Sequence, residues 1–413
     1  MNKGKPYEIS KHLVMKAFKL VKANHGTVGV DAQSLEEYEK NLKDNLYKLW
    51  NRMSSGSYFP KPVKGVEIPK KSGGMRLLGI PAVEDRIAQM VGRLYFEPLV
   101  ERIFHKDSYG YRPGKSAIDA IRITRQRCWE YDWVIEFDIR KLFDNIDHEL
   151  LMKAVKKHTD CKWLLLYVER WLKVPFQMPD GTIVERTAGT PQGGVISPVL
   201  ANLFLHYVFD RWIVDASPQN PWARYADDGL VHCRTKEEAE ALLGKLKERM
   251  LKCKLEIHPD KTRIVYCKDG NRKKEHEHTS FIFLGYEFRP RVARARYGRY
   301  FISFTPAVSP QARQSFRDSI REIRRQSIGL KLDEVARRMN PVIRGWANYF
   351  GNFYPSMMKQ ELWKVNLALA RWAMRTRKSL RRKPAKALDW LGVCAKTRPT
   401  LFVHWEMGIM PTV

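Results

Sequence analysis

The sequence predicts an α+β fold followed by a separate, basic α-helical domain. Three observations carry this. Strand-like and helix-like periodicities are mixed up to about residue 305. From Ser309 to about Arg382 only helical spacing remains, with Trp346, Tyr349, Phe350, Trp363 and Trp372 interleaved with Arg and Lys. The charge is lopsided as well: 24 Lys plus Arg stand against 5 Asp plus Glu between Arg289 and Lys386, +19 of a formal +29. With 413 residues the chain has room for two or three domains.

In chain order, the first sixty residues read as helices. Leu13, Ala17, Leu20 and Val21 share one face, as do Leu35, Tyr38 and Leu42. Val63 to Ile68 and Met75 to Ile80 form a hairpin whose tip, Lys70-Lys71-Ser72-Gly73-Gly74, is basic and glycine-bearing. Helical patterns follow over Val83–Phe104 and Ser116–Tyr131. In the strand at Trp133–Ile139, Trp133, Ile135, Phe137 and Ile139 alternate with Val134, Glu136 and Asp138. One helix is expected over His148–Leu172 and another over Ile196–Phe209. Two strands, at Ala223–Tyr225 and Leu230–Cys233, flank Ala226-Asp227-Asp228-Gly229 as a turn. A helix at Lys236–Leu251 and strands at Leu255–Ile257 and Ile264–Cys267 complete the mixed region.

The charge calls for a polyanionic partner, nucleic acid or an anionic surface. Residues 1–30 carry no apolar signal segment, and no run of eighteen apolar residues exists, so no membrane association is expected. The most apolar window, Val195–Phe209, is interrupted by Pro198, Asn202 and His206. Six cysteines lie far apart without any Cys-x-x-Cys, which suits free thiols in a reducing cytoplasm.

The residues that carry chemistry are acidic. Asp227 and Asp228 sit together at a hairpin turn, where their repulsion favours a neutralising cation. Taken alone, the turn is equally an ordinary Asp-Gly hairpin. Asp138, at the end of a hydrophobic strand, is a helix cap when read singly. Together, three carboxylates from two strands make an all-oxygen set suited to two Mg²⁺ ions about 3.5–4 Å apart, the chemistry of nucleotidyl transfer. Two other patterns are dismissed. Gly110 to Ser116 has three residues between its glycines where a phosphate-binding P-loop needs four. Cys253, Cys267, His276 and His278 lack zinc-ligand spacing.

The motif order resembles the reverse transcriptases encoded within bacterial group II introns. The matching stretches are Ile68-Pro69-Lys70 with Arg76-Leu77-Leu78-Gly79-Ile80-Pro81, Tyr109-Gly110-Tyr111-Arg112-Pro113-Gly114, and Phe137 to Asp147. They continue with Thr190-Pro191-Gln192-Gly193-Gly194, Tyr225 to Asp228, Pro259-Asp260-Lys261-Thr262, Phe283-Leu284-Gly285-Tyr286 and Gly345-Trp346-Ala347-Asn348-Tyr349-Phe350. The resemblance implies a right-hand polymerase, with fingers and palm on an antiparallel sheet and a helical thumb/maturase domain. It implies Asp138, Asp227 and Asp228 as catalytic metal ligands, joined by the Ile139 carbonyl. Lys70 and Arg76 would hold the triphosphate of a deoxynucleotide, in keeping with the fork of donors that Arg offers phosphate. Phe143 would lie beneath the sugar and exclude a 2′-hydroxyl; core packing is its alternative. Gln192 would contact the nucleotide, and Lys261 would stand near the triphosphate as a proton donor. Arg112 would contact template, and Leu284, Gly285 and Tyr286 would grip the primer.

The implied domains are an N-terminal helical extension (1–60), fingers and palm (61–305), the thumb/maturase domain (306–382) and a short C-terminal tail (383–413), too short for a nuclease. The implied function is RNA-directed DNA synthesis with two Mg²⁺ ions (Mn²⁺ substituting) and deoxynucleotides, plus splicing assistance. The partners would be group II intron RNA, an RNA template with a DNA primer, and possible target DNA. Two alternatives remain: a domesticated bacterial reverse transcriptase without an intron, and an RNA-binding maturase whose polymerase activity is incidental.

Overall fold

The computed structural model describes residues 5–69, 73–295 and 297–411. Its strands are β1 (Val63–Pro69), β2 (Met75–Ile80), β3 (Trp133–Asp138), β4 (Phe176–Gln177), β5 (Ile183–Val184), β6 (Trp222–Tyr225), β7 (Asp228–Cys233), β8 (Arg263–Tyr266), β9 (Phe281–Phe283), β10 (Tyr286–Arg294) and β11 (Tyr300–Val308). They form sheets ordered β2-β1-β4-β5, β6-β7-β3-β8 and β11-β10-β9. Helices and sheets are mixed, as expected. The chain divides into two compact units, one of Met1–Ser116, Ile135–Val231 and Glu237–Arg263, the other of Ala117–Val134, His232–Lys236 and Ile264–Val413.

In the first unit the N-terminal helices start and stop where their sequence dictates. Ser10 caps Lys11–Ala23 by accepting from the His12 amide at 3.2 Å. Ser34 and Glu37 form a reciprocal capping box on Leu35–Lys40, and Gly56, at φ +81°, ends Leu42–Ser55. The first helix buries Val14, Ala17, Phe18 and Val21. The expected face is thus rotated by one position, and Leu20 is exposed. Below it runs the helix Val83–Glu101. Its buried Asp85 accepts from the Tyr58 hydroxyl at 2.6 Å and the Lys61 amide at 3.1 Å. Burial pushes the Asp85 carboxyl up to about 7.

Two expected helices differ in detail. His148–Leu172 is two helices, His148–Lys156 and Lys162–Lys173. The Thr159 hydroxyl takes the Cys161 amide at 3.1 Å, so the backbone bond that would continue the helix is diverted. The helix starting at Ser197 runs past Phe209 to Ala216 through a wider π turn at His206–Asp210. The strand expected at Leu255–Ile257 is reduced to a single bridge between Ile257 and Ile139.

In the second unit the long hairpin β10–β11 pairs Tyr286 with Val308 through Arg294 with Tyr300. The face bearing Phe288 and Phe304 is buried at its base, where Phe281 stacks on Phe288 at 4.6 Å. Helices Pro310–Gln326, Leu332–Phe350 and Pro355–Thr376 follow. Phe316 stacks on Trp346, and Trp372 is buried with its indole donating to the Ser327 carbonyl at 2.8 Å. Glu361, buried between these helices, accepts from Arg317 at 2.7 Å and Lys364 at 2.9 Å. The segment after Lys383, expected as a tail, folds into helices Pro384–Thr397 and Val403–Glu406. Its Phe402 and Trp405 are buried, and Asn366 accepts from the Trp405 indole at 2.8 Å.

Candidate active site

The site is built in the first unit where β3 ends beside the β6–β7 turn. Tyr225 pairs with Asp228, which leaves Ala226 and Asp227 as a two-residue turn and makes Asp228 the first residue of β7. Ala226 takes the left-handed conformation at φ +57°. The Ile139 amide donates to the Asp227 carbonyl at 3.2 Å, and the His258 amide to the Asp138 carbonyl at 2.8 Å. Backbone bonds therefore fix Asp138 next to the turn. Gly229 permits the approach, since a Cβ there would lie 2.1 Å from the Phe137 ring.

Beneath the turn lies a buried polar network. The fully buried guanidinium of Arg224 binds both Asp210 oxygens at 2.7 Å, the Asn202 amide oxygen at 3.2 Å, the Ser108 hydroxyl at 2.8 Å and the Ala226 carbonyl at 3.1 Å. Asn202 donates in turn to the Gly110 carbonyl at 2.7 Å. Gly110 abuts the turn so closely that a Cβ would sit 2.5 Å from the Ala226 nitrogen. The π turn carries Asp210 into this network.

The electrostatics are those of crowded carboxylates. Burial, then Asp227 and Asp138, push the Asp228 carboxyl up to about 7. Burial and Asp138 also raise Asp227, while Arg76 and Lys261 oppose the rise. The Lys261 ammonium donates to Asp138 Oδ2. Burial alone would lower the Lys261 pKa, but Asp138 and the two turn carboxylates hold it above its usual value. Among the described residues, no three or more His, Cys, Asp or Glu side chains converge closely enough to hold a metal ion. The donors are hard oxygens, apt for Mg²⁺. The ammonium of Lys261 stands at Asp138 as a cation would.

Around the carboxylates, one loop ties the expected nucleotide residues together. Phe143 is half-buried on the short helix Leu142–Asn145. The Thr190 amide donates to its carbonyl at 2.7 Å, and the Gly79 amide on β2 donates to the Gln192 carbonyl at 2.8 Å. Gly193, at φ +125°, lets that loop meet β2, where a Cβ would fall 2.4 Å from the Gly79 carbonyl. Gln192 itself donates to Asp144 at 3.4 Å. Arg76 is exposed on β2, and Lys70 lies outside the described residues.

Arg112 turns inward. It binds Glu101 at 2.6 Å and the carbonyls of His105 and Ser108 at 2.6 and 2.7 Å, with 5% of its side chain accessible. Its donors brace its own loop, where the sequence led us to expect a template contact. Leu284, Gly285 and Tyr286 belong to the second unit. Leu284 and Gly285 form a left-handed turn at φ +51° and +81°. The Tyr349 hydroxyl donates to the Leu284 carbonyl at 2.8 Å, and the Tyr286 hydroxyl donates to the Tyr349 carbonyl.

Sequence reasoning missed Tyr111, Asn202, Asp210 and Arg224. Tyr111 is half-exposed at φ +57°, with its ring 6.4 Å from those of both Phe143 and Tyr225. A signal existed for two of the others. Asn202 and Asp210, with His206 between them, recur at four-residue spacing through an apolar helix.

Residues 68–288 match the family described as Reverse transcriptase (RNA-dependent DNA polymerase), and residues 313–389 match Group II intron, maturase-specific domain. Protein YkfC of Escherichia coli (strain K12) is 33% identical over 311 residues, 66% of this chain and 78% of that protein. The Group II intron-encoded protein LtrA of Lactococcus lactis subsp. cremoris is 34% identical over 174 residues, 42% of this chain and 28% of LtrA. The Putative COX1/OXI3 intron 1 protein of Saccharomyces cerevisiae is 32% identical over 203 residues, 49% of this chain and 24% of that protein. The chain thus spans about a quarter of the last two relatives.

Proposed function

The chain belongs to the family of group II intron-encoded reverse transcriptases and maturases, and from that premise we propose that it copies intron RNA into DNA and binds the same RNA as a splicing maturase. The observation that carries the reading is the juxtaposition of Asp138 with the Asp227–Asp228 turn inside the region matched to reverse transcriptases. In this reading the first unit supplies fingers and palm, and the helices from Pro310 to Thr397 supply the thumb and maturase surface.

Asp138, Asp227, Asp228 and the Ile139 carbonyl would hold two Mg²⁺ ions. When bound, these would supply charge neutralisation at the reacting phosphate. The primer 3′-hydroxyl would lose its proton to solvent as its oxygen bonds to the α-phosphorus of a deoxynucleotide, the bond to pyrophosphate would break, and the Lys261 ammonium, next to Asp138, would pass a proton to the leaving pyrophosphate. Arg76 and Lys70 would clasp the triphosphate. Phe143 would close the space that a 2′-hydroxyl requires, and Gln192 would orient the nucleotide. Arg112 supports the template path by bracing its loop, and Leu284, Gly285 and Tyr286 would hold the primer end.

Extension of a DNA primer on an RNA template, with Mg²⁺ and deoxynucleotides, tests the reading. The unmodified protein should extend the primer, and Asp227→Asn with Asp228→Asn should abolish extension. No extension by the unmodified, folded protein would overturn it. The match to the maturase-specific domain favours a second, separable activity. Splicing of the cognate intron should survive the Asp→Asn pair.

A further inference from the structure

Between the two family matches lies a segment that neither includes, residues 289–312. It holds most of the β10–β11 hairpin. β9 pairs only with Tyr286–Phe288, so from Arg289 outward the hairpin has two strands. Its inner half is core. Its outer half repeats the same apolar alternation without being buried. Val292 and Ile302, opposite each other, are 57% and 47% exposed. Tyr300 is 68% exposed on that face, Phe301 48% on the other, and Tyr297 at the tip 95%. A cluster of large exposed apolar side chains marks an interaction site.

The charge chooses the partner. No Asp or Glu occurs from Phe288 to Arg317, thirty residues that contain seven Arg. Arg294 and Arg299 are exposed, and the Arg294 guanidinium lies 5.9 Å from the Tyr300 ring centre. A second copy would bring like charge against like charge, which disfavours self-association. The partner is therefore a polyanion that also offers flat apolar faces. Unpaired bases do so, whereas the bases of a duplex cover one another.

We propose that the outer half of the β10–β11 hairpin is a docking surface for single-stranded nucleic acid, with Tyr297, Tyr300 and Phe301 stacking on bases and Arg294 and Arg299 contacting phosphates. The sequence-tolerant chemistry of stacking beside cations fits a strand of no fixed sequence.

The test measures binding of the full chain to a fluorescent oligouridylate and to a blunt RNA duplex, without nucleotide or divalent ion. Its outcome is thus independent of polymerase activity. The triple change Tyr297→Ala, Tyr300→Ala, Phe301→Ala should weaken oligouridylate binding by about 30-fold or more and duplex binding far less. Should that variant fail to fold, Arg294→Gln with Arg299→Gln serves instead. It should lower the slope of log affinity against log salt by about 0.7 per lost phosphate contact. Unchanged oligouridylate binding, an equal loss on the duplex, or an unchanged salt slope would overturn the proposal. So would a dimer that dissociates in the triple variant, or tighter binding to phosphatidylglycerol vesicles than to RNA.

Discussion

Arg224 and Asp210 face each other through two bonds of 2.7 Å, both side chains wholly buried. A bidentate pair is the strongest arrangement for these groups. Removing one member strands the other's charge without water. The same guanidinium binds the Ala226 carbonyl, so the pair sets the height of the turn that carries Asp227. Arg224→Ala and Asp210→Asn should each cost about 3–5 kcal/mol, read as a fall in the denaturation midpoint. Arg224→Lys keeps the charge but loses the fork. It should fold at lower stability and lose kcat more than KM for the deoxynucleotide. A change in midpoint alone, with kcat intact, would refute the positioning role.

Phe143 and Tyr111 stand edge to face with ring centres 6.4 Å apart, and Tyr111 holds a left-handed backbone that a bulky residue rarely adopts. Phe143→Ala should relax discrimination against ribonucleotides in primer extension. Tyr111→Gly should keep the backbone angle and remove the ring, which tests the ring alone. We expect reduced deoxynucleotide affinity, and selectivity equal to that of the unmodified protein in both variants would contradict the sugar-floor assignment.

Gly229 lies against the Phe137 ring with no space for a methyl group. Gly229→Ala must push β7 away from β3 and part Asp228 from Asp138. Overpacking of this kind costs about 1–3 kcal/mol, and primer extension should fall well beyond that loss of stability. Gly229→Ala with Phe137→Leu makes room for the methyl and should restore part of both. Normal extension by the single variant would count against the required closeness of the strands.

His404 gives a pH dependence whose sign is fixed. Asn366 Oδ1 accepts from the Trp405 indole, which can only donate, so His404 Nε2 must donate to that same oxygen at 2.8 Å. The other ring nitrogen is buried without a partner. Burial pushes the His404 pKa down to about 3, against about 6.5 in an unfolded chain. Between those values the unfolded chain takes up a proton that the native one refuses. Stability is therefore present above about pH 6.5 and lost as pH falls, by about 2 kcal/mol at pH 5. His404→Gln keeps the donor and should flatten part of the melting-temperature change between neutral and mildly acid buffer. An identical profile in the variant would show that this ring does not titrate on unfolding.

Much of the candidate site was legible because its signals are local. The alternation around Asp138 and a turn carrying Asp227 are short-range patterns, and both are present; the turn is tighter than the expected Ala226–Gly229, because Asp228 and Gly229 already pair in β7. The Arg224 network was legible only in part: the four-residue spacing of Asn202 and Asp210 marks a polar line on an apolar helix, but the π turn that carries Asp210 to Arg224 leaves no mark in that spacing. The break after Lys156 depends on one hydroxyl taking one amide. The hairpin from Tyr286 to Val308 escaped because Pro290 and Pro306 stand inside its alternation, and a proline within such a run argues against a strand. Leu20 and Val14 show the remaining limit. Both lie on plausible faces of one helix, and only the elements packed against it decide which is covered.

The turn at Leu284 and Gly285 is fastened to the end of the helix Leu332–Phe350 by two tyrosines that each donate to a carbonyl on the other side. Such a buckle has no slack. A tilt of that helix end must drag the turn along, and neither can fray alone. Their amide protons should exchange with deuterium as one cooperative block, although more than sixty positions of chain separate them.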